Sequence, residues 1–450
     1  MYDKIFEKFI REVKQNGTYA SIEEIRQVTQ EMLDILKRHH DYTPEEYVEA
    51  VMLDNINYLE RLKEQYPVPG YTVGVNVHNI NVKMFGGNRD SLGTHMTGDE
   101  LFDIASMSKF YCQIVAYNLI KEGYFNFDDR IVDLDPRFVN LGDVTVGDVL
   151  LFAVEYNTPG RVANQPNIEQ ALSKLFNMTI VQKGRYNYSD MGLMMLKEIM
   201  EKVTRKPYPK LVEKYITKKL HLKETFLVLP KRELKRVTGT PNAKQGMPND
   251  PSALSVGGFS GHAGVFASSD DLIKLGQGVV KDKLLPKEMM RNAFLRGVAP
   301  ARGIMGNTFV ATPEGTLNSS VDKLEPSHSF AIQGSTRTQL NVSNHSIITS
   351  LLNPDSMSIE KAKEEEAKIN MQRAREGKAP LSLVKQYRYD RNGKVVEYEF
   401  IDSRQMVPMG TVIDPLTKQN AILALRLRFL NKVLTEYEHY NKQVNVTKGM

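Results

Sequence analysis

A serine followed three residues later by a lysine, Ser106-Met107-Ser108-Lys109, is the first place where residue types and spacing could do chemistry. Positions i and i+3 share one helix face, so the ammonium can reach the serine oxygen. A serine at a helix start also lies near unpaired backbone NH groups able to bind a developing oxyanion. The combination suits acyl transfer. Ser-x-x-Lys alone is common in a chain of this length and ordinarily marks a capped helix with a surface lysine, so the surrounding sequence must decide.

Other candidates follow in order. Tyr188 lies 82 residues beyond Ser106 in Tyr186-Asn187-Tyr188-Ser189-Asp190-Met191-Gly192. Gly258-Phe259-Ser260-Gly261-His262 is one residue short of a nucleophile elbow, with His262 where glycine is needed, which makes Ser260 a poor rival nucleophile. His262 could face a cleft, although a lone histidine is more often structural. The stretch FAIQGSTRTQL places Gly334 where backbone could approach a substrate closely.

Asp103 to Lys109, followed by an amphipathic helix ending Leu119-Ile120-Lys121-Glu122-Gly123, resembles the active-site helix of the serine β-lactamase and penicillin-binding-protein superfamily. Phe127 to Ile131 and Val144 to Leu151 look like stretches of its class C β-lactamase-like branch, and Gly257 to Leu272 resembles that branch's glycine-rich strand entry. The resemblance makes Tyr188 the tyrosine of the family's Tyr-x-Asn motif, a proton relay for Ser106 aided by Lys109. Asp190 stands where the family usually has Asn, and a carboxylate accepts hydrogen bonds but donates none. It could pair with Lys109.

The remaining family element, a Lys/His-Thr-Gly triplet, is matched best by Ile332-Gln333-Gly334-Ser335. Gly334 is kept, and the Ser335 NH would complete an oxyanion hole with that of Ser106. The cation is missing: Ile332 cannot hold a substrate carboxylate, and His328 or Arg337 would have to substitute. The resemblance implies catalytic Ser106, Lys109 and Tyr188, with Asp190, Gln333, Gly334 and Ser335 about the substrate, and His262 is a further candidate for the substrate cleft.

Several elements must position these residues. Ser21-Ile22-Glu23-Glu24 is a capping box and Thr43-Pro44-Glu45-Glu46 a second helix start, so residues 1–65 read as a helical extension. Tyr71 to Phe85 reads as a strand or hairpin, and Ser106 to about Tyr124 as a helix with Met107, Phe110, Ile114 and Tyr117 on one stripe. Strand signals return over 327–339 and 345–352, with a turn at 341–344. The expected fold is mixed α/β (α+β), β-lactamase/transpeptidase-like: an antiparallel sheet flanked by helices, with a helical lobe at about 110–250 inside a catalytic domain of 66–354. A charged helix and a hairpin turning at Asn392-Gly393 occupy 355–415, and a helix over 416–450 covers the sheet.

Composition narrows the function classes. The chain has 450 residues, 41% hydrophobic and 25% charged, which excludes wholesale disorder. A net charge of +5 spread over that length argues against a dedicated nucleic-acid binder. Cys112 is the single cysteine, so the fold has no internal disulfide, and no Cys/His cluster has zinc spacing. No metal or cofactor is expected, and no Walker-type loop is present. No apolar run is long enough for a membrane span, and charges interrupt the N-terminus where a signal peptide would be apolar. A cytoplasmic location is therefore expected, or an exported one if a leader has been trimmed.

The leading expectation is a serine hydrolase forming an acyl-enzyme on Ser106 with an ester, amide or lactam. The alternative, motivated by Ile332 and Asp190, is a weak or inactive relative that binds a ligand or partner in the same cleft. An unrelated fold with coincidental motifs would show itself by lacking a sheet flanked by helices. The substrate itself and the oligomeric state are not legible.

Overall fold

The computed structural model describes residues 1–15, 21–65, 70–90, 93–185, 187–240, 243, 245–284, 329–353, 367–368, 370–378, 383–389, 395–402 and 415–448. Helices α1 (Tyr2–Gln15), α2 (Ile22–Arg38) and α3 (Pro44–Gln65) come first. Before α2 the Ser21 hydroxyl accepts from Glu24 N at 3.1 Å while Ser21 N donates to the Glu24 carboxylate at 2.7 Å. Thr43 and Glu46 make the same reciprocal pair before α3. Both starts follow from orphan NH groups that only a local side chain can satisfy.

The 71–85 run is a hairpin of β1 (Gly70–Val77) and β2 (Ile80–Gly87). Its turn residues, His78 and Asn79, have φ of 49° and 66°, the handedness that matches strand twist. With β3 (Ser329–Gly334), β4 (Thr338–Ser343) and β5 (Ser346–Leu352) they form a five-stranded antiparallel sheet ordered β2-β1-β5-β4-β3. The register from Tyr71↔Leu352 to Val77↔Ser346 joins distant parts of the chain.

One boundary differs from the sequence reading. The run ending at 339 is divided by a turn over 335–337, with Arg337 at φ 59°, and Asn341 lies inside β4 rather than in a turn. Asn341 reads as a turn residue, yet within β4 its side-chain oxygen accepts a buried hydrogen bond from Gln339 at 3.0 Å.

Strand alternation divides the sheet between two cores. Ile347 and Leu351 join Ile332, Leu340 and Val342 beneath the helical lobe, whereas Ile348 and Leu352 join Val73, Val75 and Val77 beneath α1 to α3. On the lobe side lie α4 (Ser108–Lys121), α5 (Asp190–Thr204), α6 (Pro251–Ser255) and α7 (Ser269–Val280). Every residue of α4 from Ser108 to Leu119 is buried, so it is a central helix and not the one-striped surface helix its periodicity suggests. Cys112 packs there, and burial pushes its thiol up to about 12.

The long helix α8 (Pro415–Lys448) closes the other face with α1 to α3. Phe429 on α8 lies with its ring 5.1 Å from Phe6 and 5.2 Å from Phe9, so the N-terminal helices share the sheet's second core. A separate hairpin, β6 (Leu383–Tyr389) and β7 (Val395–Asp402), follows helical residues 370–375. Its expected turn at Asn392-Gly393 lies outside the described residues, as do residues 354–366. Among the described residues no helix is long and apolar enough to cross a membrane.

Candidate active site

Ser106 sits in a single 3₁₀ turn, Ala105–Met107, that feeds directly into α4. Ala105 has φ 43°, a left-handed conformation that a residue with a side chain adopts only when its surroundings enforce it. Here Asp103 enforces it: one carboxylate oxygen accepts from Ala105 N at 2.8 Å and the other from Asn249 N at 2.6 Å. Burial raises the Asp103 pKa to about 6, against the two backbone donors.

From this turn Ser106 Oγ meets both partners the sequence assigns to it. Lys109 Nζ donates at 2.9 Å and Tyr188 OH at 3.0 Å. Tyr188 is held flat against Phe152, ring centroids 5.5 Å apart, with the Lys109 ammonium 4.7 Å from its own ring centre. Tyr188 remains 38% exposed, so the pair opens to solvent on the phenol side.

Lys109 has no exposed surface, and a buried ammonium survives only if its donors are matched. Asp190 Oδ1 lies 2.7 Å from Nζ and the His262 carbonyl accepts at 3.4 Å. Burial disfavours the Lys109 charge, but Asp190 and Tyr188 beside it outweigh burial and raise its pKa above the ordinary lysine value. Burial likewise works against Asp190, and Lys109 and then His262 outweigh it, holding the carboxyl below its usual range. The pair is therefore an ion pair, with an ammonium pointing at the serine oxygen.

His262 is buried and does not face open space. Its Nδ1 is 2.8 Å from Ser260 Oγ and its Nε2 is 2.9 Å from Asp250 Oδ1. Burial opposes the Asp250 charge, and the His262 ring bound to it brings the carboxyl down to about 2. Asp190, Asp250 and His262 bring ligand atoms within 4.8 Å of one another, the one such group among the described residues that could geometrically hold a metal. Lys109 already supplies the positive charge that Asp190 needs.

The end of β3 closes the site from the sheet side. A Cβ on Gly334 would lie 2.4 Å from the Ile104 carbonyl oxygen, so only glycine lets the strand come this close to the serine turn. Thr336 Oγ1 donates to the Asp103 carbonyl at 2.6 Å and fixes the following turn. Exposed Ser335 thus follows a glycine packed against residue 104. Ile332 is fully buried in the lobe-side core, Gln333 is exposed, Arg337 is half-buried, and His328 and Tyr186 lie outside the described residues.

A family model described as Beta-lactamase matches residues 55–317, more than half of the chain. The chain belongs to the β-lactamase family. Relatives from Escherichia coli (strain K12) and Salmonella enteritidis PT4, both provisionally named D-alanyl-D-alanine carboxypeptidases, are 27% identical over 220 and 221 residues. The matches cover 40% of this chain, which spans about half (51%) of the length of these relatives. Solved structures agree on the fold. A class C β-lactamase superimposes with a TM-score of 0.55 at 17% identity over 74% of this chain and all of its own. The octameric penicillin-binding protein homologue of Pyrococcus abyssi gives 0.54 at 17% identity, covering 72% of this chain and 77% of its own.

Asp103, Phe152, Asn249, Asp250 and Thr336 are site residues that sequence reasoning did not single out. Asp250-Pro251 carried a usable signal, since an Asp N-cap before a Pro at the first helical position marks a helix start, and Asp250 indeed caps α6 through Ala253 N at 2.8 Å. The others had no local signature.

Proposed function

We propose that this β-lactamase-family protein is a serine hydrolase that acts on an ester, amide or lactam through an acyl-enzyme on Ser106. The single observation carrying the proposal is that Ser106 Oγ receives hydrogen bonds from both Lys109 Nζ and Tyr188 OH, at 2.9 and 3.0 Å. Once the partly exposed Tyr188 has released its own proton to solvent, its oxygen accepts where its hydroxyl donates at rest. Ser106 Oγ then attacks the carbonyl carbon, the serine proton passes to the Tyr188 oxygen, and the leaving group takes that proton as its bond to the carbonyl breaks. Water then hydrolyses the ester so formed. Lys109, held charged by Asp190, stabilises the phenolate and does not itself act as the base. The NH groups of Ser106 and Ser335 bind the oxyanion.

Asp190 and Ile332 direct substrate choice. With Ile332 buried in the core, the third family element offers no cation for a free carboxylate. Neutral esters and amides are therefore the favoured acyl donors. The experiment is mass spectrometry after incubation with a fluorophosphonate, a fluorescent penicillin, p-nitrophenyl esters and D-amino-acid amides. Adduct on Ser106, absent in Ser106→Ala, supports the proposal. A folded protein that acquires no adduct from any of them overturns it and leaves a ligand-binding cleft.

A further inference from the structure

Lys109 is the most deeply buried member of the site, and what fixes it reaches well beyond Ser106 and Asp190. Its third acceptor is a backbone carbonyl, that of His262 at 3.4 Å. A carbonyl in a glycine-flanked loop would ordinarily be free to rotate. This one is not, because the His262 ring is anchored at both nitrogens, by Ser260 Oγ at 2.8 Å and Asp250 Oδ1 at 2.9 Å. Gly261 beside it packs so tightly that an added Cβ would lie 2.0 Å from the Leu193 carbonyl oxygen on α5.

Asp250 is fixed in turn. The same Oδ1 accepts from Ala253 N at 2.8 Å, and the preceding residue, Asn249, donates its NH to Asp103. Asp103 grips Ala105 N and so holds the left-handed residue that aims Ser106. The contacts close a circuit, from Ser106 through Ala105, Asp103, Asn249, Asp250 and His262 to Lys109, whose ammonium returns to Ser106 Oγ at 2.9 Å. The nucleophile and its cation thus hang from one half-buried segment, 249–250.

We propose that Asp250 and His262 are positioning residues that hold Lys109 at hydrogen-bond distance from Ser106 and couple it to the serine turn through Asn249 and Asp103. This rests on the acyl-enzyme reading above for its consequence in rate, not for its geometry. Neither side chain touches the reacting atoms. A displacement of about 1 Å in such a group costs on the order of a hundredfold in rate.

The experiment measures fluorophosphonate labelling of Ser106 in the full chain, with Asp250→Ala, Asp250→Asn and Ser260→Ala, normalised to folded protein by the label taken up at completion. Asp250→Ala is expected to label roughly a hundredfold more slowly, and Asp250→Asn, which can still cap α6 and accept from His262, to recover most of the rate. Crystal structures supply a readout independent of activity: Lys109 Nζ leaves hydrogen-bond reach of Ser106 Oγ in the alanine variant. Wild-type labelling per folded molecule, or an unchanged 2.9 Å contact, overturns the proposal. If Asp250→Ala does not fold, Ser260→Ala, which keeps the cap, is judged on both measurements by the same standard, with a smaller slowing expected. A wild-type protein that fails to label defeats the acyl-enzyme reading, and the crystal structures alone then decide the positioning.

Discussion

The two faces of the sheet both bury polar side chains, and they do so differently. Around the serine turn on the lobe side the buried groups include an ammonium, a carboxylate and a strained residue: Lys109, Asp103 and the left-handed Ala105. Between the sheet, α3 and α8 a cluster of neutral amides and a hydroxyl is buried, and Arg426 on α8 pairs nearby with the partly exposed carboxylates of Glu31 and Asp54. Asn420 accepts from Asn55 at 3.1 Å and from Ser350 at 2.9 Å, and donates to Gln339 at 2.9 Å, which donates to Asn341. Neutral amides fix how α3 and α8 seat on the strands without the desolvation cost of a charge. Burying an ammonium with no exposed surface costs more and stabilises little, so the burial of Lys109 beside Ser106 sets the proposed site apart.

That contrast breaks most sharply at Ser106. Ser106→Ala is expected to lower hydrolysis by at least about a thousandfold while leaving the unfolding midpoint close to wild type, as read by esterase assay and thermal melting. Retained activity would move the nucleophile elsewhere. Gly334→Ala comes next: its Cβ would meet the Ile104 carbonyl and push the Ser335 turn away, so kcat should fall about a hundredfold, as for loss of an oxyanion donor.

Asn420→Ala tests the other face. It leaves Asn55, Ser350 and Gln339 without their shared partner and should cost on the order of 3 kcal/mol in urea unfolding, with labelling of Ser106 unchanged per folded molecule. Asp190→Asn sharpens the chemical side through pH. Asp190 holds the Lys109 pKa up, so its loss lowers that pKa and should shift the alkaline limb of kcat/KM to lower pH. An unmoved limb would mean that Lys109 charge does not limit the rate.

The smallest effect belongs to Asp103. Its folded pKa, about 6, lies above the ordinary carboxyl value of 3.8, so the folded state holds the proton more tightly. The associated stability is present in full below about pH 4 and is lost as pH rises through about 6. Asp103→Asn, which cannot titrate, should flatten that part of the stability-against-pH curve relative to wild type. Parallel curves would place the Asp103 pKa near normal.

Local order in the chain was enough to determine several features. The capping box at Ser21, the helix start at Thr43, the strand signal at 71–85 and the meeting of Ser106 with Lys109 depend on residues close in the chain, where spacing alone sets geometry. Tyr188 was reachable by resemblance, because its neighbours keep a recognisable order. Other features were decided only in three dimensions. That α4 is buried all round depends on what packs against its polar side, and no periodicity reports that. Asp103, Asn249, Asp250 and the His262 carbonyl come together across 146 residues and more of chain. A buried charge is tolerated only where distant partners happen to converge on it, and convergence is a property of the folded chain.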